Sequence, residues 1–90
     1  MSNFQAKVKV SLRTSVLDPA GEATKMAALK MGIKGLNDLR IGKSIDISID
    51  ASNEDEAREQ IELLCDRLLS NPVIENWSME INSTDSSSDN

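Results

Sequence analysis

The stretch that decides the fold covers residues 36–50: Leu36-Asn37-Asp38-Leu39-Arg40-Ile41-Gly42-Lys43-Ser44-Ile45-Asp46-Ile47-Ser48-Ile49-Asp50. Leu39, Ile41, Ile45, Ile47 and Ile49 share one parity, and only Lys43 interrupts their row. Asp38, Arg40, Gly42, Ser44, Asp46, Ser48 and Asp50 take the other parity. Successive side chains of a β-strand point to opposite faces, so constant parity predicts one apolar and one polar face. Two arrangements satisfy it. One is a single strand of ~14 residues, ~46 Å long at ~3.3 Å per residue, with or without a bulge. The other is a hairpin with the loop Gly42-Lys43-Ser44, which sets Ile41 opposite Ile45 and Leu39 opposite Ile47. Gly-Lys-Ser is a weak turn signal beside Asn-Gly or Asp-Gly, which favours the long strand.

Upstream, Phe4, Ala6, Val8, Val10 and Leu12 alternate with Gln5, Lys7, Lys9 and Ser11, the pattern of a half-buried strand over residues 4–12. Asp18-Pro19 then provides a capping carboxylate followed by a residue whose missing N–H costs nothing in a first helical turn. A helix is expected over residues 19–31, with Ala23, Met26, Ala27, Leu29 and Met31 as its apolar positions and Gly32 as its left-handed C-cap. Downstream, Ser52 and Asn53 offer N-caps and Glu54-Asp55-Glu56 complements the dipole of a second helix. Ala57, Ile61, Leu64, Cys65, Leu68 and Leu69 form its apolar stripe, and Asn71-Pro72 ends it. Trp77, Met79 and Ile81 alternate with Asn76, Ser78 and Glu80 as a closing strand, and residues 82–90 carry no apolar side chain and are expected to be a disordered tail.

The expected fold is therefore α+β, in the order β-α-β-α-β, related to the ferredoxin-like type. It has a long middle strand and two helices on one face of a small antiparallel sheet, in a single domain over residues 1–81. The hairpin reading would make the order β-α-β-β-α-β. On the same rise per residue the first strand is ~30 Å and the last ~23 Å, so a ~46 Å strand would overhang both. Unpaired backbone beside Ile45, Ile47 and Ile49 would recruit another chain, giving a dimer and, by apposition of apolar faces, a dimer of dimers.

Ninety residues support one core, and burying only ~60–70% of the unfolded surface leaves self-association with something to add. Charge is unevenly placed: residues 1–43 carry eight basic and three acidic side chains, residues 44–90 two basic and twelve acidic. A net charge of −5 with two aromatics, Phe4 and Trp77, argues against nucleic acid as a partner. The chain has no His, so acid–base work near neutral pH would need a displaced carboxylate or lysine pKa; no catalytic residue is assigned. Cys65 lies in the apolar stripe of the second helix, where a buried thiol is the ordinary outcome. A single Cys excludes an internal disulfide and suits a reducing compartment. Neither a membrane span nor an export signal is seen, so a cytoplasmic location is expected. Gly42-Lys43-Ser44 is no phosphate-binding loop, because Gly35 stands at the wrong spacing and no helix follows directly.

Four segments together carry a family likeness: Leu17-Asp18-Pro19-Ala20-Gly21; Met31-Gly32; Leu39-Arg40-Ile41-Gly42-Lys43; and the run from Leu68 through Asn71-Pro72 to Trp77. In this order and at these separations, over residues 4–81, the chain resembles the PurS family, the small subunits of phosphoribosylformylglycinamidine (FGAM) synthase. Ser44 stands where a larger residue is common, and Trp77 where Tyr is frequent. The resemblance implies a non-catalytic subunit of purine biosynthesis that bridges a glutaminase subunit and a large ATP-dependent synthetase subunit and aids ammonia transfer. The whole complex would use ATP, Mg and glutamine, with no cofactor or metal on this chain. By the same likeness Asp18, Pro19 and Gly21 shape the strand-to-helix turn, Asn71 and Pro72 stop the second helix, and Arg40, Gly42 and Lys43 serve subunit contact, joining Ile45, Ile47 and Ile49, which the unpaired strand edge assigns to it. An ACT-like regulatory module, with Gly42 as its ligand cue, is the rival of similar layout, and a small RNA-binding protein is the third.

Overall fold

The computed structural model describes residues 1–84. Its elements are β1 (Ser2–Leu12), α1 (Pro19–Lys30), β2 (Lys43–Ala51), α2 (Glu54–Leu64), continued by a π-helical turn (Cys65–Leu69), and β3 (Glu75–Ser83). The three strands make an antiparallel sheet in the order β2-β1-β3, the β-α-β-α-β arrangement expected. Register brings the apolar parities together: Val8 lies opposite Ile45 and Met79, Ala6 opposite Ile47 and Ile81, and Val10 opposite Lys43 and Trp77. The other face is polar, with Lys7 bridging Asp46 at 3.3 Å and Gln5 donating to Ser48 at 2.9 Å.

The core sits where α2 crosses the central strand. Val8, Val10, Ile61 and Cys65 are essentially inaccessible to solvent, and Phe4, Ala51 and Ala57 form an adjoining buried group. Each large side chain so buried contributes ~1.5–3 kcal/mol. On the flanking strands Ile45, Ile47, Ile49, Trp77, Met79 and Ile81 are only partly buried. α2 starts as its caps predict: Asn53 accepts from the Glu56 amide at 2.8 Å, and the Glu56 carboxylate accepts from the Ser52 amide at 2.8 Å.

Four expectations are corrected. First, the stretch over residues 36–50 is neither one long strand nor a hairpin. β2 begins at Lys43 and its nine residues all pair with β1, whereas residues 39–42 join no strand. The ladder ends there because the backbone has other partners: the Ile41 amide donates to Asp18 Oδ2 at 2.8 Å. Gly42 passes so close to β1 that a Cβ on it would stand 2.7 Å from the Val10 carbonyl oxygen.

Second, one helix covers the sheet, not two. α1 buries only Gly21 and gives no side chain to either core cluster. Third, the predicted stripe of the second helix breaks at Cys65. The Ser70 amide reaches the Cys65 carbonyl at 3.0 Å, five residues back, and the Ser70 hydroxyl donates to the same oxygen at 2.8 Å. The wider turn keeps Leu69 against the core and rotates Leu68 out to 76% exposure. Fourth, the domain does not end at 81: Asn82 and Ser83 pair with Gln5 and Phe4, and the Thr84 amide donates to the Asn3 carbonyl at 3.0 Å. The remainder of the expected tail lies outside the described residues.

Candidate assembly surface

At the end of the sheet where β1 leaves off, three loops are tied together through one carboxylate and two guanidinium groups. Asp18 Oδ1 caps α1 by accepting from the Gly21 amide at 3.0 Å, while its Oδ2 holds the Ile41 amide. Pro19 occupies the first helical turn, where it costs no hydrogen bond. Asp18 is a buried acid. The Ile41 and Gly21 amides hold its carboxyl below the ordinary aspartate value, against the opposing push of burial, and the Arg40 charge adds to the lowering. Gly21 permits this closeness, since a Cβ there would lie 2.5 Å from both Asp18 Oδ2 and the Leu39 carbonyl oxygen.

Arg40 Nη2 donates to the carbonyls of Arg13 at 2.9 Å and Val16 at 2.8 Å. Arg13 in turn donates from Nη2 to the Pro72 carbonyl at 2.5 Å, and its amide reaches Ile74 at 2.8 Å. Lys43 Nζ reaches the Leu69 carbonyl at 3.3 Å. Asn71 starts the turn into β3, its Oδ1 accepting from the Val73 amide at 3.1 Å and its carbonyl from the Glu75 amide at 2.8 Å. Asp18, Pro19, Gly21, Arg40, Gly42, Lys43, Asn71 and Pro72 thus converge on one end of the molecule, fastening β1, the root of α1, the entry to β2 and the start of β3.

Ile45, Ile47 and Ile49 stand apart from that node, along β2. Their side chains pack inward against the core, and the outer backbone edge of β2 pairs with no strand among the described residues. Arg13, which the sequence reading did not single out, is part of the node; its place just past the last apolar residue of β1 is the only signal it carries. Also missed is the exposure of α1 and the loop after it: Met26, Leu29, Met31 and Ile33 are 47–79% accessible. Burial raises the Cys65 thiol above its ordinary value, and Asp66 and Glu62 push it further the same way, so it is a poor nucleophile.

An open groove of about 460 Å³ beside the node is lined by Asp18, Glu22, Lys25, Asp38 and Arg40 among others. Its cations are engaged: Arg40 with the two carbonyls, Lys25 with the Asn37 carbonyl at 2.9 Å. Among the described residues no three His, Cys, Asp or Glu side chains gather to hold a metal ion, and no helix is long and apolar enough to cross a membrane.

Fold and surface together define a small α+β sheet subunit, with one helix packed on the sheet and the other held off by a fastened root. The PurS family model, described as phosphoribosylformylglycinamidine (FGAM) synthase, matches residues 5–83. The PurS subunit of Synechocystis sp. is 42% identical over 79 residues, 88% of this chain and 79% of the relative. A solved structure of Bacillus subtilis PurS, 38% identical, superposes with a TM-score of 0.80 over 88% of this chain and 98% of that one. A chain in the structure of PurLQS from Thermotoga maritima, 32% identical, gives 0.81 over 92% and 99%. The chain belongs to the PurS family, as its four motif segments imply, and the ACT-like and RNA-binding readings fall away.

Proposed function

We propose that this chain is the PurS subunit of FGAM synthase in purine biosynthesis, acting in assembly and making no bond itself. It joins a glutaminase subunit to a large ATP-dependent synthetase subunit, so that ammonia released from glutamine reaches the second site under cover. Free ammonia at neutral pH is lost to protonation and diffusion, so a transfer complex needs a water-excluding bridge. Membership of the PurS family carries this reading, and the likeness to a chain of the Thermotoga PurLQS complex supports it. ATP, Mg and glutamine belong to the whole complex, with none held by this chain. The protein works in the cytoplasm, without nucleic acid or membrane, and associates with itself as a dimer or a dimer of dimers.

The contact residues are Arg40, Gly42 and Lys43 at the node end and the β2 segment bearing Ile45, Ile47 and Ile49. Their support is the unpaired outer edge of β2 and its continuity with the fastened node. Reconstitution tests the role. Glutamine-dependent FGAM formation is expected when the chain is added to glutaminase and synthetase subunits, with little activity when it is omitted. Equal activity without it would overturn the proposal.

A further inference from the structure

The outer edge of β3 has no complement within this chain. At the two ends of the β1–β3 ladder the Arg13 amide donates to the Ile74 carbonyl at 2.8 Å and the Thr84 amide to the Asn3 carbonyl at 3.0 Å. Antiparallel pairing alternates, so the even-numbered residues of β3 turn their backbone towards β1, and Trp77, Met79 and Ile81 turn theirs outward. β3 lies at the edge of the sheet, and these outward groups meet no other strand among the described residues. Edge strands are commonly guarded by Pro, Lys or a bulge. β3 has none of these: its nine residues run in unbroken register with β1.

What surrounds the edge is acid. Trp77 Nε1 donates to Asp66 Oδ1 at 3.0 Å, which places Asp66 on the β3 side of the helix. Glu62 and Glu59, four and seven residues earlier, share that helical face and are exposed. On the strand itself Glu80 is exposed opposite Lys7, whose ammonium is given to Asp46 at 3.3 Å. Of the cations of the helical segment, Arg58 pairs with Glu54 at 3.1 Å and Arg67 offsets one acid of the group. A second copy is a poor occupant. Its β3 would bring Glu75 and Glu80, its β2 Asp46 and Asp50, and its lysine-bearing β1 is enclosed between the two. Like charges set opposite one another weaken strand pairing.

We propose that the outer edge of β3 receives an extended, basic strand of one of the larger subunits of the synthase. Apolar residues at alternate positions of that strand continue the row of Trp77, Met79 and Ile81, and Lys or Arg beside them meet Glu80, Glu62 and Asp66. Backbone pairing supplies the hold, and charge selects the strand. This placement rests on the assembly role proposed above and names the chemistry of the segment that is held. It is separate from the β2 edge and the node, which lie across β1 and at the end of the sheet.

Hydrogen exchange on the unmodified chain, read residue by residue with and without the glutaminase and synthetase subunits, provides the first test. The Trp77, Met79 and Ile81 amides should exchange freely in the chain alone and slow by about tenfold or more in the assembly. Adding each subunit singly shows which one brings the strand. An assembly that makes FGAM while these amides exchange as before overturns this placement and leaves the assembly role standing. Amides already slow in the chain alone overturn it too, because another copy would then hold the edge. If no assembly forms, the assembly role and this placement fall together. The second test is the double variant Glu62→Lys, Glu80→Lys, altered at two exposed sites. Its dissociation constant for the larger subunits should rise by about tenfold or more, with the circular dichroism and mass of the chain alone unchanged. An unchanged constant overturns the proposal.

Discussion

Gly21 and Asp18 form a unit in which each makes the other's geometry possible. The carboxylate can receive the Ile41 and Gly21 amides only because no side chain intervenes at position 21. Gly21→Ala forces its Cβ against a carboxylate and a backbone carbonyl, and backbone cannot yield cheaply; we expect a loss of ~1–3 kcal/mol in urea unfolding. Asp18 also gives the fold an acid limit. Its folded pKa is lowered, so its stabilising contribution is complete above the ordinary aspartate value of about 3.9 and is lost as pH falls below that, through the folded value. Asp18→Asn should therefore flatten the acid limb of the stability curve below about pH 4 while lowering stability at neutral pH, which denaturant melts across pH would reveal.

At the scale of elements, α2 anchors the structure and its last turn decides which leucine matters. Ile61 joins Val8 and Val10 in the buried cluster between α2 and the central strand and has no exposed surface, so Ile61→Ala should cost ~2–5 kcal/mol. Leu68→Ala, in the same predicted stripe, should change stability by no more than about 0.5 kcal/mol, because the π-helical turn has already turned that side chain out. Equal losses at the two positions would mean that the helix continues in α geometry through Cys65. Periodicity cannot report a π turn, since an apolar stripe reads the same whether or not its final residue faces inward. What marks it here is Ser70, whose hydroxyl and amide both satisfy the Cys65 carbonyl.

For the whole molecule, the decisive property is that sheet and first helix do not cover each other. Because residues 1–43 are net basic and residues 44–90 net acidic, salt should weaken the self-association proposed above: the dimer dissociation constant should rise between about 0.05 and about 0.5 M salt, as screening shortens from beyond ~10 Å to only a few ångströms. A salt-independent constant would point instead to apolar contact alone. Under the assembly role proposed above, interface strength would bear on function through geometry, because a bridging subunit whose two copies slip apart cannot hold two larger partners in register.

Strand parity, caps and helix stops are local properties, and they were legible in residues 4–12, in Asp18-Pro19, in Asn53 with its acidic turn, and in Asn71-Pro72. The four motif segments likewise carried the PurS family. Local sequence could not say where the β2 ladder begins, because Leu39 and Ile41 keep the parity of Ile45 while their amides donate to side chains, Asp38 one residue back and Asp18 23 residues earlier in the chain. Nor could it say that α1 stands clear of the sheet. An apolar stripe states that a helix should be covered and is silent on whose surface covers it, which only the placement of the whole chain in space decides.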